Sequence, residues 1–196
     1  MTSPIWASDL LRTADKLAPA EAGRGRPALC DLRRATSTAY YALFHQVIRH
    51  SALHAVPGAT EDDIANVSRW HTHAGVRRAS EWVIRADGGA SVPKEARAAV
   101  TLLQGAGTPI PRPLLTVANT FVSLQDARHD ADYSNQYDPV RFTTREHVQS
   151  ADLAVRATWS MWRARTSTRS ARQELHAAYS RFLSLALVAS GGPRVR

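Results

Sequence analysis

Apolar residues in this chain recur at three- and four-residue steps through every long segment, and no convincing two-residue alternation appears anywhere. That period fits helix and not strand, so the sequence predicts an all-α fold. The clearest run is Leu29, Leu32, Thr36, Ala39, Tyr40, Leu43, Phe44 and Val47, heading toward Pro57-Gly58. It predicts a second helix of about 25 residues, about 40 Å long at 1.5 Å per residue. Before it, Ser3-Pro4 reads as an N-cap with a first-turn proline, and Ile5, Leu10, Leu11, Ala14 and Leu17 form a short stripe ending near Pro19. After it, the acidic start Thr60-Glu-Asp-Asp63 leads Ile64, Val67, Trp70, Ala74 and Trp82 as one third helix to the break at Asp87-Gly-Gly.

A shorter helical piece spans Pro93 to Gln104, and the prolines at 109, 111 and 113 forbid helix in the loop that follows. The fourth helix carries Leu114, Leu115, Val117, Ala118, Phe121, Val122 and Leu124, and it exits at Ser134-Asn135 and Asp138-Pro139. Thr143-Thr-Arg-Glu146 has the capping-box pattern and opens a fifth helix through Val148, Ala151, Leu153, Val155, Trp159 and Trp162. A sixth runs from about 168 to 189. Antiparallel helices joined by such turns pack as a bundle. The expected organisation is a bundle over residues 1–165, a C-terminal helical extension over 166–190 and a disordered tail over 191–196.

Composition narrows the function. The single cysteine, Cys30, excludes an internal disulfide framework and any thiolate zinc cluster. The first residues lack a basic stretch followed by an apolar one, and no run approaches the ~20 apolar residues of a membrane span, so a cytoplasmic location is expected. Of the net charge of +8, residues 1–140 hold +1, with 15 basic and 14 acidic side chains. Residues 141–196 hold +7, as ten arginines against Glu146, Asp152 and Glu174. Arg156, Arg163 and Arg165, continued by Arg169 and Arg172, are candidates for RNA backbone or acidic partner contact beside Trp159 and Trp162.

The densest chemistry lies at the end of the fourth helix. Arg128, His129, Asp130, Asp132 and Tyr133 crowd six positions, with Arg128 and Asp132 one turn apart and His129 a turn from Tyr133. An arginine that holds phosphate, a histidine that moves protons near neutral pH, and an acid and a phenol that orient them suit a ribonuclease-like site. The same residues also suit a salt-bridged helix end. Adjacent Tyr40 and Tyr41 cannot both face one core, so one of them is expected to point to a partner helix or an interface, with Ser37 on the face of Tyr41.

Residues 33–48, with Ser37, Tyr40, Tyr41, Phe44 and His45, taken together with Phe121 to Tyr133, resemble the HEPN family (higher eukaryotes and prokaryotes nucleotide-binding) over about residues 5–165. The resemblance implies a dimerising antiparallel up-down bundle of four to five main helices, and many members are metal-independent endoribonucleases of toxin–antitoxin, CRISPR-linked and phage-defence systems. The family motif is an arginine followed by Asn, Asp or His, with a histidine four to six residues on. Arg128 and His129 match its start, while Tyr133 stands where the histidine is expected, as in a subset ending Arg-x-x-Ala-Asp-Tyr.

On that resemblance, Arg128 of each protomer stabilises charge across a two-fold axis, His129 is the base or acid, Asp132 orients them, Tyr133 positions the phosphate, and Ser37, Tyr40, Tyr41 and His45 support the site. Two functions stay open. One is an RNA-binding homodimer acting as an endoribonuclease; the other is a non-catalytic module partnering a nucleotidyltransferase or another protein, with Tyr133 the nearest candidate for modification. No cofactor is expected. His50 and His54, or His71 and His73, lack a completing carboxylate or cysteine, so no metal site is expected either. Phosphate-loop and serine-elbow patterns are missing.

Overall fold

The computed structural model describes residues 6–19, 27–88, 92–105 and 109–191. Among these there is no strand. Eight α-helices follow one another: α1 (Ala7–Leu17), α2 (Leu29–Ala55), α3 (Glu61–Ser68), α4 (His73–Gly88), α5 (Arg97–Gln104), α6 (Arg112–Tyr133), α7 (Arg141–Arg163) and α8 (Ser170–Ala189). Short 3₁₀ turns precede α5 at Lys94–Ala96 and follow α7 at Ala164–Thr166. The expected start at Ser3-Pro4 and the expected tail beyond Gly191 lie outside the described residues.

The chain gathers into two compact units, one from residues 1–46 and 120–155, the other from 47–119 and 156–196. The last helix, α8, packs against α4 and α5 within the second unit.

The first unit holds α1, the first part of α2, the last part of α6 and the first part of α7. In α1, Ala7, Leu11 and Ala14 are buried at helical spacing. Arg145 of α7 donates to Asp15 Oδ1 at 2.7 Å and to the carbonyl of Ala18 at 3.0 Å, which ties α7 to the end of α1. Tyr40 is fully buried, its ring stacked on Phe44 at 6.1 Å and tilted against Phe121 at 5.5 Å. Burying three such rings supplies much of the drive for this core. Helix α7 begins at Arg141, ahead of the expected cap at Thr143, because the amide of Thr144 already donates to the carbonyl of Val140 at 3.1 Å. Thr143 therefore lies within the first turn of α7 and not at its cap, so the capping-box expectation fails; the Thr144 side chain is buried and bonds back to the Val140 carbonyl.

In the second unit, α3 opens with a reciprocal cap: Thr60 Oγ1 accepts from the amide of Asp63 and Asp63 Oδ2 accepts from the amide of Thr60, each at 3.3 Å. Its Ile64 and Val67 join Ala52, with Trp70 packed against them. The expected single third helix is broken at residues 69–72. Thr72 restarts it as the cap of α4, its hydroxyl accepting from the amide of Gly75 at 3.0 Å. Just before this cap, His71 turns inward, with Nε2 2.8 Å from Ser51 Oγ.

Gly75 is needed because α8 comes very close. A Cβ there would lie 2.2 Å from Ser190 Oγ and 2.7 Å from the Ser190 backbone. His50 sits flat on Trp162 with ring centres 4.6 Å apart and hydrogen-bonds the hydroxyl of Tyr179 at 3.0 Å. Burial first, then Arg49 and Arg165, push the His50 pKa down to about 3. It is a neutral core residue at neutral pH.

Candidate functional site

Along the last turns of α6, Phe121, Leu124 and Ala131 are buried, and Arg128 falls on the same stripe. The helix thus presents a guanidinium toward α2 where its pattern would otherwise supply an apolar side chain. Arg128 Nη2 donates to the hydroxyl of Tyr41 at 2.9 Å. Its Nε lies 2.6 Å from Asp132 Oδ2, and Ser37 Oγ donates to the other carboxylate oxygen at 2.5 Å. Tyr41, Arg128, Asp132 and Ser37 therefore form one polar chain linking α2 and α6 within the first unit. The Nε–H makes no well-directed hydrogen bond, so charge holds that pair while Ser37 and Tyr41 supply the directional contacts.

The guanidinium carbon also lies 5.5 Å from the ring centre of Tyr41 and 5.4 Å from that of Tyr133. Burial alone would lower the Arg128 pKa, but Tyr41, Asp132 and Tyr133 outweigh it and raise the value. The Arg128 and Asp132 side chains are 19 % and 25 % exposed, so the pair is only partly screened by water.

Beside this chain, Arg33 ties down the end of α6. Its Nε donates to the carbonyl of Ala131 at 2.8 Å, Nη2 to that of Ser134 at 2.7 Å and Nη1 to that of Tyr137 at 3.1 Å. A helix C-terminus leaves carbonyls without partners, and a cation there satisfies them and suits the helix dipole. Sequence reasoning assigned Arg33 no role. Its acceptors are backbone atoms 98 to 104 positions away, which no local pattern signals. Thr36, also unassigned, lies 3.4 Å from Nδ1 of His147, whose pKa burial lowers.

Between the first turns of α2 and the end of α6 lies a cleft of about 540 Å3. One wall is the stripe Cys30, Arg34, Ser37, Thr38 and Tyr41, all on one face of α2 at three- and four-residue spacing, with Arg33 at its edge. The opposite wall is Ala131, Asp132 and Tyr133. Tyr133 is 65 % exposed and presents its ring to the cleft, with Arg128 and His129 beside it.

The expected site residues do not all meet here. Ser37, Asp132, Tyr41 and Tyr133 line the cleft, and Arg128 is bonded to two of them without lining it. His129 is 72 % exposed; its ring centre is 5.2 Å from that of Tyr133 and its Nδ1 is 4.0 Å from Asp130. Tyr40 is core. His45 sits a turn beyond Tyr41, ring centres 6.2 Å apart, with its pKa lowered by burial.

Arg156, Arg163 and Arg165 belong to the second unit, all three exposed. Arg163 lies over Trp159 at 5.6 Å and Arg165 over Trp162 at 4.7 Å. Among the described residues, no three His, Cys, Asp or Glu side chains gather as metal ligands, and no helix is long and apolar enough to cross a membrane. Profiles of known protein families, curated proteins and solved structures return no match to this chain.

Proposed function

We propose that this chain is a HEPN-type up-down helical bundle, cytoplasmic and homodimeric, that binds single-stranded RNA in the cleft between α2 and α6. The observation that supports this best is the content of the cleft. Its one lining carboxylate, Asp132, is already matched by Arg128 at 2.6 Å, so the guanidiniums of Arg33 and Arg34 leave the surface net positive beside an exposed phenol ring. Positive charge with an aromatic platform is what single strands require, since phosphates take the charge and bases stack on the ring.

Cleavage is the activity that the family resemblance adds. In that reaction the 2′-oxygen attacks the adjacent phosphorus, His129 takes its proton, the bond to the 5′-oxygen breaks, and the imidazolium returns the proton to that oxygen. A 2′,3′-cyclic phosphate remains. Arg128 lends positive charge to the crowded phosphorane, and Tyr133 donates a hydrogen bond. Among the described residues, His129 meets Asp130 and Tyr133, and in this reading a second protomer supplies the rest of the site. A toxin of a toxin–antitoxin or defence system is the setting in which such a ribonuclease works.

The non-catalytic reading has its own support. Arg128 is engaged by Tyr41 and Asp132 as a tie between helices, which is what a structural lock needs. Incubating purified protein with RNA in EDTA buffer separates the two. Metal-independent cleavage that His129→Ala abolishes supports the nuclease; RNA binding without cleavage, or cleavage untouched by His129→Ala, removes it and leaves the module that docks a nucleotidyltransferase or other partner.

A further inference from the structure

Three arginines crowd the cleft region, but their donors are not equally spent. Arg33 uses Nε, Nη1 and Nη2 on three backbone carbonyls. Arg128 commits Nη2 to the Tyr41 hydroxyl, pairs by charge with Asp132 and does not line the cleft. Arg34 is exposed, lines the cleft, and has no hydrogen bond or ion pair with any described residue. Its position is central: Cys30 lies one turn before it and Thr38 one turn after it on the same stripe of α2. The Thr38 hydroxyl likewise has no hydrogen-bond partner among the described residues, although it faces the same cleft.

We propose that Arg34 makes the direct contact with a phosphate of the bound strand in this cleft, with Thr38 as second donor and the ring of Tyr133 carrying the neighbouring base, while Arg128 acts there only through its charge. The inference rests on the RNA-binding reading and names the contact on which that binding turns. A guanidinium offers a planar fork that matches two phosphate oxygens, and a hydroxyl four residues on along the helix fills the geometry of a third. The cleft volume of about 540 Å3 falls in the range of small-ligand sites and suits a nucleotide-sized segment rather than a duplex. An acidic peptide would match the charge but would leave the Tyr133 ring uncovered. That ring, 65 % exposed opposite Arg34, is what selects a nucleotide.

The test uses the full chain and a labelled single-stranded oligoribonucleotide of about ten nucleotides, a length on the scale of one such binding site. Arg34→Gln is expected to weaken binding at least tenfold and to lower the slope of log affinity against log salt by about 0.7, the value of one lost phosphate contact on a single strand. Tyr133→Leu is expected to weaken binding about tenfold with the salt slope unchanged, because stacking carries no counterions. Arg112→Gln removes the same charge from an exposed position in the second unit and is expected to leave affinity within about twofold.

Equal affinity for Arg34→Gln and the parent overturns the proposal, as does competition by a poly-glutamate peptide as strong as that by RNA. If the parent chain binds no RNA at low salt, the RNA reading fails, and the arginine claim is judged separately. In that case inorganic pyrophosphate is titrated while the arginine side-chain Nε–H NMR signals are followed, with Arg34→Gln giving the assignment. A saturating shift at Arg34 upholds the phosphate contact, and a static Arg34 signal refutes it.

Discussion

If Arg128 is a tie between α2 and α6, removing it must cost stability, whereas an arginine held out only for a ligand could be lost without harm. Arg128→Met keeps the aliphatic stem and removes the guanidinium. The loss includes a charge-assisted hydrogen bond to Tyr41, worth about 1.5–3 kcal/mol. Contacts with two rings add about 0.5–1 kcal/mol each at partly exposed sites. The ion pair with Asp132 is roughly four-fifths covered and lies between an exposed pair at about 0–1 kcal/mol and a buried one, whose breaking costs about 3–5 kcal/mol. Solvation of the exposed fifth offsets part of these gains, so we expect a net loss of about 2–4 kcal/mol for Arg128→Met and about 1–2 kcal/mol for Asp132→Asn.

The double variant is expected to lose about 1 kcal/mol less than the sum, since each single change leaves the other member without its partner. Urea unfolding followed by circular dichroism measures all three. Additivity within about 0.3 kcal/mol, or an Arg128→Met variant as stable as the parent, would refute the tie and return Arg128 to the list of ligand-facing groups.

Gly75→Ala is expected to lower stability by about 1–3 kcal/mol in the same urea assay, because the added methyl meets the Ser190 backbone at 2.7 Å and α4 cannot stay so close to α8. Gly88→Ala, whose Cβ meets nothing within 4 Å, is the control and should cost nothing by contact. For His50, the folded pKa of about 3 lies below the unfolded value near 6.5, so its contribution is complete above pH 6.5 and drains away as pH falls toward 3. At pH 5 that is about 2 kcal/mol of lost stability from this residue alone, and His50→Gln should flatten the acid slope by a similar amount; an unchanged slope would show that His50 does not stay neutral in the folded protein.

Helix content was legible because it depends on one local property, the spacing of apolar residues. Of the α1 stripe, Leu11 and Ala14 are buried as read while Ala7 was missed, and the stripe through Phe121 and Leu124 leading to Arg128 could be read directly. The adjacency of Tyr40 and Tyr41 also carried real information: a helix turns about 100° per residue, so Tyr40 enters the core while Tyr41 meets Arg128. What escaped was set by contacts distant in sequence. The break before α4 depends on Thr72 and on the close approach of Ser190 to Gly75. The start of α7 at Arg141 is marked by the bond from the Thr144 amide to the Val140 carbonyl, which a capping pattern at 143–146 does not reveal. The pairing of Ser37 with Asp132 spans 95 positions, and the three carbonyls held by Arg33 carry no sequence signature at all.

Arg33 and Arg34 are neighbours with opposite fates, and the helix explains why. The turn between successive residues that separates Tyr40 from Tyr41 also sends Arg33 toward the carbonyls beyond α6 and leaves Arg34 on the cleft wall. The first arginine makes the site rigid: its three bonds hold the segment that carries Asp132 and Tyr133, while Ser37 and Tyr41 hold that segment at a set distance from α2. A wall fixed in this way gives up little conformational freedom when a ligand arrives, so most of the attraction exerted by Arg34 and Tyr133 is realised as affinity. Loosening the frame at Arg33 should therefore weaken RNA binding with a smaller change in its salt slope than removing Arg34, because the Arg33 donors are committed to backbone carbonyls. Those two slopes, measured on Arg33→Met and Arg34→Gln, separate the residue that builds the cleft from the residue that uses it.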